Sequence, residues 1–411
     1  MSRKGESPRD KARARRRERL ARRVRNPARG PARRRDGDAK DGGEDAPEDS
    51  PEETALVEAA PVEVAKPARL LHLRWDLDKT YLRTEFDTLR DLYRTFMQKA
   101  EDKVAIAGAR VLLKELMDPH DGIPRRVTFI SGSPSQMRRT LTRKLQLDGI
   151  VPDVFILKPN LSNLLRGRFR ALRGQVGYKL KALLHSHMAA VEVDEYLFGD
   201  DAEQDAFIYS LYADILAGRV DATAMVAILN ACKVYRRDTD EIMALHGSLY
   251  ASGEVVRRIF IHLEARSPLG RFRPYGGRVV PVYNYFQAAM LLLDAAVLRV
   301  GAVWEVIAAM EATGYTPARF ANSLQELLRR GVLAPIAADR AIEELAAEGA
   351  RRGRDVDRFT RRLRTVTADL RSQPRPPPPW ETEVNYLGLY HAARFRRQRY
   401  RLLGTGIRIL D

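Results

Sequence analysis

The sequence predicts an α/β domain built on a parallel β-sheet with helices packed on both of its faces, preceded by a charged arm. Short apolar runs alternate with amphipathic helical stretches from Leu70 onward, the pattern of strands joined by helical crossovers. Acids and hydroxyls stand at the ends of these runs, where ligands of open parallel sheets sit. The first 66 residues carry charge, Pro and Gly without apolar periodicity.

Leu70–Asp78 (LLHLRWDLD) is a first strand ending in acids. Helical periodicity follows over Phe86–Lys99 and Val104–Met117, and Asp121, Gly122 and Pro124 mark a loop. Arg126–Ser131 is a second strand, Ser135–Leu147 a helix and Val154–Leu157 a third strand. A helix over Gln175–Val191 leads to a fourth strand, Tyr196–Gly199. Residues 203–253 read as a helical insertion, and Val255–Leu263 as a late strand of the same sheet. Helical periodicity returns over Tyr285–Thr313, Thr316–Arg330 and Ala337–Ala350. The expected division is a disordered arm over 1–66, a catalytic domain over 67–310 and a helical extension over 311–370. A proline-rich linker with a basic end, 371–411, closes the chain.

Composition narrows the function. The chain has 411 residues, 45% of them hydrophobic, enough for a sizeable core, and a net charge of +17, which favours anionic partners. One cysteine, Cys232, excludes an internal disulfide and a cysteine-rich zinc site, and fits a reducing cytoplasm. Its apolar surroundings make it a buried small residue. His72, His185 and His187 have no metal-binding or triad spacing. The apolar stretch Tyr285–Ile307 is interrupted by Asp294 and Arg299, so it reads as a core helix and no transmembrane segment is expected. Within the arm, residues 1–35 hold 16 basic and 3 acidic side chains, and 36–58 hold 10 acidic and 1 basic. An arm of this kind suits an anionic membrane surface or nucleic acid; a solvated tail is the plain alternative.

The chemistry-bearing residues are Asp76 and Asp78 in WDLDKT, Ser131 in FISGSP, Lys179 in GYKLKALL, and Asp200 with Asp201 and Asp205 in FGDDAEQD. A phosphate monoester is a dianion and repels nucleophiles. A divalent cation held by carboxylates relieves that repulsion. Asp76 is placed to attack phosphorus and Asp78 to move the proton. Ser131 and Lys179 would hold the phosphate oxygens. Asp200 would complete the metal site, with Asp201 or Asp205 beside it.

These segments resemble the four motifs of the haloacid dehalogenase superfamily. More narrowly, DLDKTYLRTEF, FISGSPSQM and FGDDAEQDAFIY are similar to the actin-patch-associated phosphatidate phosphatase catalytic domain, over roughly Ala68 to Tyr212. The resemblance implies a Rossmann-like parallel sheet of the haloacid dehalogenase type; the helical insertion after the fourth motif and the helical C-terminal region are departures from that family, read from periodicity alone. It implies Mg2+ held by Asp76, Asp200 and the backbone carbonyl of Asp78, and phosphate held by Thr80, Ser131, Gly132 and Lys179. Lys79, Gly132 and Asp201 depart from that family's usual acid, Asn and Ser. The expected activity is hydrolysis of a phosphomonoester through an aspartyl phosphate, with phosphatidate or a related lipid phosphate as one substrate candidate. A phosphatase of protein or nucleic-acid phosphate ends, and a non-catalytic polyanion-binding module, stay open. The expected location is cytoplasmic, peripheral to a membrane if the arm binds one.

Overall fold

A computed structural model describes residues 69–82, 104–158, 168–188, 192–354, 356–371, 376–379 and 383–393. The chain divides after Glu63. The arm, the expected helix over Phe86–Lys99 and most of the basic end lie outside the described residues.

Six strands form one parallel sheet in the order β3-β2-β1-β4-β5-β6. They are β1 (Leu70–Trp75), β2 (Arg125–Pro134), β3 (Val154–Lys158), β4 (Val193–Asp200), β5 (Val256–His262) and β6 (Val279–Val282). Strands are added in one direction from β1 to β3, after which the chain returns to place β4 on the other side of β1. The carboxyl ends of β1 and β4 therefore meet at the topological switch point, where such sheets open a crevice.

Alternation along the strands separates two cores. Leu71, Leu73 and Trp75 of β1, Phe129 of β2 and Phe198 of β4 face one core. It is closed by α1 (Ala109–Met117), α2 (Arg138–Leu147) and five later helices. These are α7 (Tyr285–Asp294), α8 (Val300–Glu311), α9 (Pro317–Arg329), α10 (Pro335–Arg351) and α11 (Asp357–Arg371). Ile130, Leu197, Ile259 and Ile261 face the second core. There they meet α3 (Arg168–His185), α4 (Asp205–Leu216), α5 (Ala222–Ala231) and α6 (Arg236–Leu249). Both faces of the sheet are thus covered, as its near-continuous apolar strands require.

Several boundaries differ from the sequence reading. The helix expected from Val104 begins at Ala109, because Ala105 bridges to Leu82 and Gly108 takes φ 83, a turn conformation open to glycine. The helix expected to run to Val191 stops at His185. The stretch 285–313 is two helices, not one. Its apolar period runs on through a turn at 295–299, where Ala296 has φ 55, so α8 folds back onto α7 and α1. Strand β6 was not expected, and helix α11 falls within the expected helical extension over 311–370 though beyond its named periodic segments. Pro281 interrupts the four residues of β6, and proline is tolerated there because the strand lies at the sheet edge. No helix among the described residues is long and apolar enough to cross a membrane. Cys232 is buried after α5, and burial pushes its thiol up to about 12, away from nucleophile chemistry.

The second core also encloses an ion pair. Arg74 on β1 forks onto Glu195 on β4, Nε to Oε2 at 2.7 Å and Nη2 to Oε1 at 2.9 Å. Tyr212 donates its hydroxyl to Glu195 Oε2 at 2.9 Å, and His187 Nδ1 lies 3.0 Å from Oε1. His72, beside them, pairs its Nε2 with Thr128 Oγ1 at 2.8 Å. Burial, and then the Arg74 charge, push His72 down to about 2, so it is a neutral structural residue. Removing one partner of such a pair leaves a buried charge uncompensated. Glu195→Ala is expected to lower stability by about 3–5 kcal/mol, while Arg74→Met/Glu195→Met recovers most of the loss. Denaturant unfolding of the three proteins measures this; a single-variant loss under about 1 kcal/mol contradicts it.

Candidate active site

Lys179 is the hub of the crevice. Its side chain is fully buried, and α3 brings it over the carboxyl end of β1. Its ammonium donates to Asp76 Oδ1 at 2.8 Å, Glu203 Oε2 at 2.7 Å and Asp205 Oδ1 at 2.5 Å. Burial works against the charged amine, but Asp205, Asp76 and Glu203 outweigh it and hold Lys179 well above the ordinary lysine range.

Asp76 directly follows β1, and its N–H donates to the Phe198 carbonyl of β4 at 2.8 Å. Thr80 aims its hydroxyl at Asp76 Oδ2, 3.4 Å away. Burial lifts the Asp76 carboxyl well above its usual range; Lys179 opposes the rise, and Asp205 and Glu203 add to it. Asp78 lies two residues on and accepts from Ser131 Oγ at 2.8 Å and Ser133 Oγ at 2.7 Å, both on its Oδ2. Its Oδ1 is buried and has no partner among the described residues. Burial raises Asp78 too, against the pull of the two serines.

Asp200 ends β4. Its Oδ1 accepts the N–H groups of Ala202 at 2.6 Å and Glu203 at 2.9 Å, and its Oδ2 is buried without a partner among the described residues. Gly199 lets Asp205 approach this strand end, since a Cβ there would lie 2.6 Å from the Asp205 side chain. Asp205 opens α4 and receives the Asp200 N–H on Oδ2 at 3.2 Å.

The structure brings Asp76, Asp78, Thr80, Ser131, Lys179, Asp200 and Asp205 into this one crevice. Gly132 lies on its wall, where an added Cβ would sit 3.7 Å from Glu203. Asp201 faces elsewhere: its two carboxylate oxygens accept Ala265 N–H and Ser267 N–H, each at 2.7 Å, and so hold the loop after β5. Sequence reading missed Glu203, Ser133, Gln175 and Tyr178. Ser131 and Ser133 share a strand face by their spacing of two. Gln175, which donates to Glu203, and Tyr178, which donates to the Ser131 carbonyl at 3.1 Å, share a helix face with Lys179 at i, i+3 and i+4. Those two periodicities were the available signals.

Asp76, Asp200, Glu203 and Asp205 each offer a carboxylate oxygen within 4.8 Å of the others. One ammonium lies among four carboxylates and bonds three of them, and among the described residues Asp200 Oδ2 has no donor. Burial, then Asp205 and Glu203, push Asp200 well above its usual range, against the pull of Lys179 and the Glu203 N–H. An all-oxygen donor set of this kind fits a hard divalent cation. A bound cation stabilises a fold by about 2.7 kcal/mol at 100 times its dissociation constant. Added Mg2+ or Mn2+ is therefore expected to raise the melting temperature of the wild type, and Asp200→Asn to remove most of that rise. An equal rise in both proteins would place the cation elsewhere.

Residues 75–227 match the family model described as the catalytic domain of phosphatidate phosphatase APP1. The matched region runs from the end of β1 into α5 and holds every motif residue named above; β5, β6 and α6 to α11 follow it. No curated protein and no solved structure matches the chain. The match supports the resemblance drawn from the motifs, and the chain carries a hydrolase domain of the phosphoric monoester class, for which a metal cofactor is implied.

Proposed function

We propose that the chain is a Mg2+-dependent phosphomonoesterase that forms an aspartyl phosphate on Asp76, with phosphatidate or a related lipid phosphate as substrate. One observation carries the reading. Asp76 is fixed by Lys179, while Asp78, two residues on, keeps one carboxyl oxygen buried and unpartnered in the same crevice. A nucleophile and a proton carrier are thereby held side by side.

In the first step a carboxylate oxygen of Asp76 bonds to phosphorus as the bond to the ester oxygen breaks. The leaving oxygen would take its proton from Asp78, whose carboxyl burial raises above its usual range against the pull of Ser133 and Ser131. In the second step Asp78 accepts a proton from water as that water bonds to phosphorus. Inorganic phosphate leaves and the Asp76 carboxylate is restored. Lys179 and Ser131, which bond to Asp76 and Asp78, would also reach the phosphoryl oxygens, and Thr80 would orient Asp76. Asp76, Asp200 and the Asp78 carbonyl would hold Mg2+, which neutralises phosphate charge during attack.

A lipid phosphate accords with the phosphatidate that the matched family acts on. The arm over 1–35, with a net charge of +13 from its 16 basic and 3 acidic side chains, would add attachment to an anionic surface.

Three measurements test the reading. Asp76→Asn is expected to lose at least about 10³-fold in kcat against phosphatidate vesicles and soluble phosphomonoesters, with its fold intact. Near wild-type turnover in that variant refutes the nucleophile. Exhaustive chelation is expected to abolish activity and added Mg2+ to restore it. A substrate panel in which every soluble ester outpaces phosphatidate would refute the lipid assignment alone.

A further inference from the structure

The segment after β1 is a tight turn. Tyr81 and Leu82 donate their N–H groups to the Leu77 carbonyl at 3.1 and 2.8 Å, and Lys79 N–H donates to Leu82 at 2.9 Å. Lys79 sits at φ 59, a left-handed conformation that costs a residue with a Cβ and persists only where its surroundings enforce it. The enforcing contacts come from three separate elements. Three successive carbonyls, those of Lys79, Thr80 and Tyr81, each accept from outside the turn. Lys79 accepts from His262 Nδ1 at 3.3 Å, Thr80 from the Tyr285 hydroxyl, and Tyr81 from Ile106 N–H at 2.9 Å. The Leu77 carbonyl is filled from within. Among the described residues, only the Asp78 carbonyl in this run of five accepts no hydrogen bond.

His262 ends β5 and Tyr285 begins α7, so both lie beyond the matched region 75–227. Tyr285 is fully buried and stacks on Trp75, which precedes Asp76, with centroids 5.8 Å apart, and on His262 at 5.4 Å. Its helix start is fixed in turn. Asn284 caps α7, accepting Gln287 N–H at 3.2 Å, and donates to Ser323 Oγ of α9 at 2.8 Å. Gln287 Nε2 donates to the Ser323 carbonyl at 2.9 Å. A chain of named bonds thus runs from α9 to the turn that carries the catalytic acids.

We propose that His262 and Tyr285 are positioning residues, which clamp the Lys79 and Thr80 carbonyls so that the left-handed turn persists and the Asp78 carbonyl stays free for the cation. The carbonyl's role rests on the reading under Proposed function; the clamp itself rests on the contacts above. Neither side chain touches substrate. The helices after the matched region become part of the catalytic apparatus, because they fix where Tyr285 stands.

Tyr285→Phe keeps the ring stack and deletes the donor. In the full-length protein, it is expected to raise the Mg2+ concentration that gives half of the thermal shift by about 10-fold or more, the range for lost outer partners of a metal site. It should lower kcat by a similar factor and leave KM within about two-fold. His262→Gln retains an N–H donor and should stay near wild type, whereas His262→Leu should fall as Tyr285→Phe does. The two His262 variants decide the matter if Tyr285→Phe does not fold. A Tyr285→Phe protein that melts earlier with an unchanged Mg2+ half-point and kcat overturns the proposal. So does a His262→Gln protein as impaired as His262→Leu, and so does a wild type without any Mg2+ shift. If the wild type hydrolyses no phosphomonoester, the phosphatase reading fails, while the Mg2+ half-points still test the clamp.

Discussion

A lysine ammonium buried among carboxylates sets the conditions for the rest of this structure. Lys179 is buried away from the protein surface, so its charge is tolerable only with Asp76, Glu203 and Asp205 in hydrogen-bond contact. Those three acids come from β1, the turn after β4 and the start of α4, so their meeting requires β1 and β4 to be neighbours with α3 lying over their ends. Gly199 is needed for the same reason, since any side chain there would push Asp205 away. The arrangement overshoots neutrality: the acids outnumber the amine, and their carboxyls are driven up by burial and by one another. A site left negative in this way fits a divalent cation, which under the proposed function would in turn compensate a phosphate dianion.

The polar groups of the second core follow a related logic with a different outcome. Arg74 and Glu195 are as buried as Lys179, but they satisfy one another in a fork and leave no net charge. They pin β1 to β4 beneath the crevice. The first core does the complementary work, packing α7 to α11 against the face that carries Trp75 and Phe198. The turn that follows β1 is therefore braced from below by an ion pair and from the side by an aromatic stack.

Much of this was legible in the sequence because its signals are local. Alternation in LLHLRW and FISGSP gives strands, and acids at their ends give the site under the switch-point rule. The conserved geometry of parallel crossovers then brings Asp76, Ser131, Lys179 and Asp200 together without further information. What escaped depended on distant contacts or on breaks that periodicity does not register. Strand β6 carries a proline and pairs only with β5, and the turn at Ala296 lies between Asp294 and Arg299 in a stretch whose apolar period continues across both charges. Asp201 carries the same motif label as Asp200, yet one step along a strand end points its carboxylate toward Ala265 and Ser267 instead of the crevice. Glu203 stood between two acids that were singled out, and only the fold of the β4–α4 turn shows that it reaches Lys179.

The central claim is chemical: Asp76 carries the phosphoryl group during turnover. An acid-quenched reaction of the wild type with phosphatidate, reduced with borohydride and digested, reports it directly by peptide mass spectrometry. An acyl phosphate at position 76 is reduced to homoserine, whereas a free carboxylate is not. The account predicts homoserine at position 76, dependent on substrate and Mg2+, with Asp78, Asp200 and Asp205 unchanged. Steady phosphate release with no modified residue at 76, or with the modification at another acid, would contradict it.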